Sequence, residues 1–258
     1  MDVTIAGDAG ALQGWLARPQ SPGPNGRPAM VIVPGFPTAP GGGANSFRTF
    51  PALADRVAED ARMVALTFAF RGIASSEGHF SLAGWRDDLS RAVEYMRTLE
   101  GTDGAIWLMG FGTGGALAIA AATQEPDVKG IVTVAAPADF RDWANRPREL
   151  LSHARKCGAI SDPSHPPDMS KWAGELGEIA AIESAAQLDS ETVRMMVIHG
   201  GNDGAVPALD ARAIADAHGS AELRLIPGAR HHLRHDPRAM ATAIGFLNRR
   251  GRALELSS

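Results

Sequence analysis

Apolar residues along the chain fall into two alternating kinds of segment: short continuous runs and longer helical segments. The continuous runs, typical of buried strands, occupy residues 3–6, 12–17, 29–34, 63–70, 105–109, 128–135, 194–198 and 222–226. The helical segments, several with apolar residues every three or four positions, occupy residues 50–58, 82–99, 114–123, 209–218 and 237–247. Strands that alternate with helices predict an α/β fold with a mostly parallel central sheet of about eight strands, flanked by helices.

One long segment, residues 137–190, breaks this alternation because it has no strand pattern. It contains two helical segments, 139–156 and 170–188, separated by a proline-rich loop. We expect residues 137–190 to form a small helical cap over the carboxyl ends of the strands. Residues 1–136 and 191–258 would then form the α/β core of a single domain. The alternative is an elaborate crossover connection that covers nothing.

Composition and charge narrow the range of partners. The chain has 258 residues and a net charge of −4, and nucleic-acid binding needs a concentrated basic face, so we expect no nucleic-acid partner. No apolar run is long enough to cross a bilayer, and the first residues lack the pattern of a signal peptide. With one cysteine, Cys157, these features predict a cytoplasmic protein that binds a small molecule. Composition and charge do not exclude a homo-oligomer.

Glycines mark the turn after the strand at residues 105–109. The segment Gly110-Phe-Gly112-Thr-Gly114-Gly follows that strand and begins a helix. This is the setting of the nucleophile elbow, G-x-S-x-G, in which small residues permit a sharp turn and close packing of strand and helix. Gly110 and Gly114 match the two framing glycines, and Gly112 occupies the position of the serine.

Four other segments follow predicted strands and carry polar or glycine-rich patterns. They are Pro34-Gly-Phe36, the segment RGIASS at 71–76, the segment HGGNDGAVP at 199–207 and the segment PGARHH at 227–232. With the elbow, they resemble the α/β-hydrolase fold superfamily, and within it esterases, dienelactone hydrolases and serine-peptidase-like members. Ala74 departs from the family's RGxGxS pattern, in which this position is a glycine.

The resemblance implies a role for individual residues. Asp203 matches the family's acid and His231 its catalytic histidine, with the adjacent His232 as the alternative. The backbone N–H groups of Phe36 and Thr113 match the two donors of an oxyanion hole. No metal motif or dinucleotide fingerprint is present in the sequence, so we expect no metal and no cofactor.

The glycine at position 112 excludes a covalent serine mechanism because it supplies no hydroxyl. The sequence therefore favours a pseudohydrolase that binds a small carbonyl-type ligand. The alternative is an active hydrolase, or a lyase-like enzyme, in which an Asp203–His231 dyad activates a water. Ser75, Ser76 and Cys157 are less favoured as substitute nucleophiles, and so is Thr113, because its side chain is expected to point away from the site.

Aromatic residues in the predicted cap give a final candidate feature. Trp143 and Trp172 are expected to line an apolar ligand pocket, since such pockets are rich in aromatic side chains. The alternative is that both residues pack the cap onto the core.

Overall fold

The structure, a computed structural model, describes residues 1–255, with side chains as far as residue 249. An eight-stranded sheet forms the centre of this part of the chain, in the order β1-β2-β4-β3-β5-β6-β7-β8. The strands are β1 (Asp2–Gly7), β2 (Gly10–Ala17), β3 (Arg27–Val33), β4 (Val64–Phe68), β5 (Thr102–Phe111), β6 (Val128–Val134), β7 (Arg194–Gly200) and β8 (Glu222–Ile226). β2 pairs antiparallel with β1 and β4, and the other pairings are parallel. The predicted mostly parallel eight-stranded sheet is confirmed.

Helices cover both faces of the sheet. Within the described residues they are α1 (Phe50–Ala61), α2 (Leu82–Arg97), α3 (Thr113–Ala122), α4 (Arg141–Asn145), α5 (Pro147–Cys157), α6 (Met169–Glu175), α7 (Ala181–Gln187), α8 (Ala208–His218) and α9 (Pro237–Glu255). Buried residues of α2, α3, α7 and α8 pack on one face, and those of α1 and α9 pack on the other.

The continuous apolar runs arise because the central strands are buried on both faces. In β3, Val31 joins the hydrophobic cluster on one face while Ile32 joins the cluster on the other, and both are fully buried. Successive side chains of a strand point to opposite faces, so a strand covered on both sides needs apolar residues at every position.

The segment 137–190 contains four short helices where the sequence predicts two longer ones. The first predicted helix divides at Arg146, whose backbone is non-helical (φ −132°, ψ 51°) because it precedes Pro147. The second divides before α7, where Ala180 is extended. α7 packs against α3 and α8, so the later part of the segment belongs to the helical layer of the core.

The turn after β4 is held by a buried ion pair. Asp88 on α2 is completely buried and accepts three hydrogen bonds from Arg71, two from the guanidinium (2.6 and 3.0 Å) and one from the backbone N–H (2.8 Å). The next residues of this turn include Ala74, whose backbone is left-handed (φ 52°). Alanine therefore adopts here a conformation that glycine adopts more readily.

Candidate functional site

The turn between β5 and α3 has the geometry of a nucleophile elbow although its central residue is Gly112. Gly112 has a φ of 51° and a ψ of −122°, and its N–H donates a 2.8 Å hydrogen bond to the carbonyl of Val134 on the neighbouring strand. A φ of this sign strains any residue that carries a Cβ atom. The sharp turn therefore forms here around a glycine.

The two framing glycines are required for a different reason, which is space. A Cβ atom at Gly110 would overlap the carbonyl oxygen of Gly114, and one at Gly114 would overlap the carbonyl of Pro34. At Gly112, by contrast, the one described atom within 4 Å of a Cβ atom, apart from the two adjacent residues, would be His231 Nε2 at 3.7 Å. Position 112 therefore has room for a side chain directed at a histidine.

The structure brings Asp203 and His231 together. Asp203 follows β7, and His231 lies in the loop between β8 and α9. His231 Nδ1 lies 2.9 Å from Asp203 Oδ2, which leaves Nε2 on the side of Gly112. The carboxylate is fully buried, whereas the imidazole is 22% exposed. This is the arrangement in which an acid orients a histidine for proton transfer.

Asp203 is held as a carboxylate by four donors. Burial alone would raise the pKa of Asp203, but hydrogen bonds from His199 and His231 and from the backbone N–H groups of Val206 and Ala205 outweigh it and hold the pKa far below its usual range. His199 Nε2 lies 3.3 Å from Asp203 Oδ2 and 3.0 Å from the Val206 carbonyl. His199 therefore contacts both the carboxylate of Asp203 and the backbone of the loop that carries it.

His232 has a different environment from its neighbour. Its ring packs edge-on against that of His231, with 5.5 Å between the ring centroids, and it has no hydrogen bond to Asp203. Burial, followed by the adjacent His231, lowers the pKa of His232. The geometry thus pairs Asp203 with His231 and leaves His232 beside the pair.

Phe36 and Thr113, the residues expected to supply the oxyanion hole, both line the cavity that contains Gly112. Within the described residues, neither backbone N–H donates a hydrogen bond to a protein acceptor. The Phe36 loop is fixed by Asn45, whose side-chain amide donates to the Phe36 carbonyl at 2.8 Å. Sequence reasoning missed Asn45, because a contact across nine residues in a glycine-rich segment gives no periodic signal.

This cavity has a volume of about 850 Å³ and extends from Gly112 to the helices α4 and α5. Its lining includes the aromatic residues Phe36, Phe140 and Trp143, and Trp143 lies 5.2 Å from Phe36 and 5.1 Å from Phe140 between ring centroids. His153 of α5 also lines the cavity and bonds to the Pro37 carbonyl at 3.1 Å. An aromatic wall of this kind suits an apolar or aryl group.

Trp172, the second tryptophan expected at the ligand, is not among the residues that line the cavity. Its side chain is 3% exposed and its indole N–H donates to the Phe80 carbonyl at 3.2 Å. The expectation of a ligand contact is therefore not met, and Trp172 packs α6 onto the core. Of the four helices in the segment 137–190, α4 and α5 contribute lining residues in the described part of the chain, and α6 and α7 do not.

The candidate substitute nucleophiles outside the elbow are poorly placed. Ser76 donates to the Ala69 carbonyl at 2.7 Å, and neither it nor Ser75 lines the cavity. Cys157 lies 3.4 Å from His153 Nε2, but its thiol is buried behind the cavity and burial raises its pKa. A neutral buried thiol is a poor nucleophile. Thr113 lines the cavity and is 6% exposed.

The described residues contain neither a cluster of metal ligands nor a membrane-spanning helix. No group of three His, Cys, Asp or Glu side chains there is arranged to hold a metal ion. No described helix combines the length and the apolar character needed to cross a membrane.

Comparisons with known proteins agree with the fold. A family model described as the alpha/beta hydrolase fold matches residues 28–156, which are half of the chain. No curated protein matches the sequence significantly.

Solved structures resemble the fold over almost its whole length. Est1E from Butyrivibrio proteoclasticus, with ferulic acid bound, is 21% identical, with 96% of each chain covered and a TM-score of 0.72. The alpha/beta hydrolase GrgF from Penicillium sp. sh18 is 19% identical, with 98% of this chain and 99% of that chain covered and a TM-score of 0.73. XC6422 from Xanthomonas campestris, a serine hydrolase without a lid, is 19% identical, with 98% and 94% covered and a TM-score of 0.63. At these identities the likeness shows the fold alone.

Proposed function

Because the chain belongs to the alpha/beta hydrolase fold family, we propose that it binds a small carbonyl compound above Gly112 and hydrolyses it with a water activated by the Asp203–His231 dyad. The sequence alone favoured a protein that binds such a ligand without turnover. The 2.9 Å contact between His231 Nδ1 and Asp203 Oδ2 is the arrangement that proton transfer needs, so we favour hydrolysis over binding alone.

The distance between Gly112 and His231 carries this proposal. A Cβ atom on Gly112 would lie 3.7 Å from His231 Nε2, and beyond the adjacent residues no other described atom would lie within 4 Å, so the space for a side chain at position 112 faces His231. A water in that space would be within hydrogen-bond reach of Nε2. General-base catalysis requires such contact between the base and the proton that it removes.

The proposed reaction uses one displacement and no acyl-enzyme. The water oxygen attacks the carbonyl carbon while His231 Nε2 takes the water's proton, and Asp203 stabilises the imidazolium that forms. The unpartnered N–H groups of Phe36 and Thr113 stabilise the oxyanion. When the tetrahedral species collapses, the bond to the leaving alkoxide or amine breaks and His231 returns the proton to it.

The cavity indicates the class of substrate. Phe36, Phe140 and Trp143 offer an aromatic wall beside the elbow. Est1E, which shares the fold, binds ferulic acid, an aromatic acid. We therefore propose an ester or related carbonyl compound that carries an apolar or aryl group.

The test is hydrolysis of 4-nitrophenyl butyrate by the purified protein, by His231→Ala and by His232→Ala. Binding and the oxyanion hole alone give about 10³–10⁴ over the reaction in water, and a working general base adds about 10²–10⁴. His231→Ala should lose the general-base part and fall by about 10² or more, while His232→Ala, which changes the adjacent histidine, should retain most of the rate. An unchanged rate in His231→Ala would remove the dyad from the mechanism. The wild-type protein should give no adduct with a fluorophosphonate probe.

A second candidate function is binding without turnover, and the observation that favours it is the absence of any side-chain oxygen at Gly112. Calorimetry with 4-phenyl-2-butanone, a neutral aryl ketone that cannot be hydrolysed, separates the two functions. Binding of the ketone together with no hydrolysis of the ester would establish a pseudohydrolase.

A further inference from the structure

Gly112 forms part of the wall between two cavities. Beside the large cavity of about 850 Å³ lies a small one of about 10 Å³, and Asn45, Gly112, His231 and His232 line both. The small cavity is also lined by Ala44, by Phe111 and Val134 at the ends of β5 and β6, and by the turn after His232. It therefore touches His231 without any described lining residue from α4 or α5.

One residue that lines the small cavity, Arg234, has a buried donor without a partner. Its Nη2 donates to the Ala44 carbonyl and to Thr49 Oγ1, both at 2.8 Å, and its guanidinium lies over the Phe50 ring at 4.3 Å. Its Nε–H, in contrast, is buried and has no hydrogen-bond partner in the described part of the chain. Such an orphaned donor is costly unless a water or ligand satisfies it.

The size and polarity of the small cavity fit one water molecule. A cavity must offer roughly 10–15 Å³ to a water-sized sphere, and a buried water usually has two to four polar partners. Arg234 can donate to such a water through Nε. His231 can accept from it through Nε2, since Nδ1 is already paired with Asp203.

We propose that this small cavity is a dedicated water site, held by Arg234 and His231, that supplies the nucleophilic water to the space beside Gly112. The inference rests on the proposed function, because it identifies where the water of that reaction comes from. A ligand that fills the large cavity displaces solvent from it. The small cavity keeps a water next to the base on the ligand's far side.

The first experiment locates the water independently of activity. A crystal structure at high resolution, determined with 4-phenyl-2-butanone bound, should show an ordered water within hydrogen-bond distance of Arg234 Nε and beside His231. A fully ordered cavity without that water would overturn the proposal even if the protein hydrolyses esters. The water together with no hydrolysis would support the site and contradict the proposed function.

The second experiment fills the site. Ala44→Val and Val134→Ile each add methyl groups to residues that line the small cavity and not the large one. Val132→Ile is the matched control, because Val132 is equally buried on the same face of β6 but lines neither cavity. Each filling variant should lower kcat for 4-nitrophenyl butyrate by at least about tenfold, as small displacements of a reactant do. Binding of 4-phenyl-2-butanone should change by less than about twofold, since neither substituted residue lines the large cavity that takes the ketone.

A variant with a tethered nucleophile separates the water site from general damage to the elbow. In the Gly112→Ser background, the burst of nitrophenol from acylation should persist when Val134→Ile is added, because acylation uses the serine oxygen. The steady-state rate, which depends on water, should fall. If both the burst and the steady-state rate were lost, Val134→Ile would have distorted the turn. The same measurement on Ala44→Val would then decide whether the water site supplies the reaction. Unchanged kcat in both filling variants would overturn the proposal.

Discussion

A Cβ atom placed on Gly112 would lie 3.7 Å from Nε2 of His231, close enough for a hydroxyl on that carbon to reach the ring. His231, Asp203 and the turn are therefore arranged as for a serine, and the residue at the centre supplies no oxygen. This relationship makes position 112 the most informative one to change.

Gly112→Ser should create a labelled, faster enzyme. The serine hydroxyl would face His231, so we expect a covalent adduct with a fluorophosphonate probe and a burst phase with 4-nitrophenyl butyrate. The positive φ of residue 112 should cost about 1–3 kcal/mol of stability. Gly112→Ala is the matched control, because it adds the same Cβ strain without the hydroxyl. It should lose similar stability in urea unfolding and remain unlabelled. A folded serine variant without an adduct would show that the oxyanion hole or the dyad is not competent.

The two tryptophans of the segment 137–190 should respond differently to substitution. Trp143 lines the cavity, so Trp143→Ala should weaken binding of 4-phenyl-2-butanone about tenfold, as expected for the loss of an aromatic contact. Trp172 is buried away from the cavity, so Trp172→Phe should lower the free energy of unfolding and leave binding unchanged. Calorimetry and urea unfolding measure the two effects. Equal loss of binding in both variants would contradict the assigned positions.

Removal of one partner from the buried ion pair of Arg71 and Asp88 should lower the free energy of unfolding strongly. Asp88→Ala leaves the guanidinium of Arg71 without its partner, so the free energy of unfolding should fall by about 3–5 kcal/mol. The double variant Arg71→Met with Asp88→Leu removes both charges and should be more stable than Asp88→Ala alone. Denaturant unfolding of Arg71→Met, Asp88→Leu and the double variant gives the coupling energy. Additive losses would show that the pair contributes no coupling.

His218 should make the protein less stable in acid. The residue is 3% exposed, its Nε2 lies 3.0 Å from the Val193 carbonyl, and burial lowers its pKa. The unfolded chain therefore binds more protons than the folded one below the ordinary histidine pKa of about 6.5, so stability falls as the pH drops through that value. His218→Gln should flatten the dependence of the unfolding free energy on pH between 7.5 and 5.5. The same replacement at exposed His235 is the control.

Much of this fold could be predicted from the order of apolar runs, because buried strands of a parallel sheet need apolar residues on both faces. β3 and β6 are examples, and the structure has them close to the predicted bounds. The strand order could not be predicted in this way, because no local sequence pattern indicates that β4 lies between β2 and β3. The division of the first predicted helix in residues 137–190 could have been predicted from Pro147, because a proline disfavours helical backbone at the residue before it.

The candidate site shows the same contrast. Asp203 and His231 could be found because each stands in a short motif after a strand, and parallel strands bring such loops to one edge of the sheet. Asn45 and Arg234 carry no motif, and their roles depend on contacts between segments that are far apart in the chain. Trp172 illustrates the converse, because an aromatic residue in a cap-like segment can face either the ligand or the core. Composition alone does not distinguish the two.

The glycines at 110 and 114 are fixed by the closeness of strand and helix, whether or not any reaction takes place above them. A pattern of alternating glycines at this turn is therefore a signature of architecture that would survive the loss of catalysis. A test for catalytic competence in proteins of this shape should read the residue between those glycines together with the imidazole and carboxylate that face it.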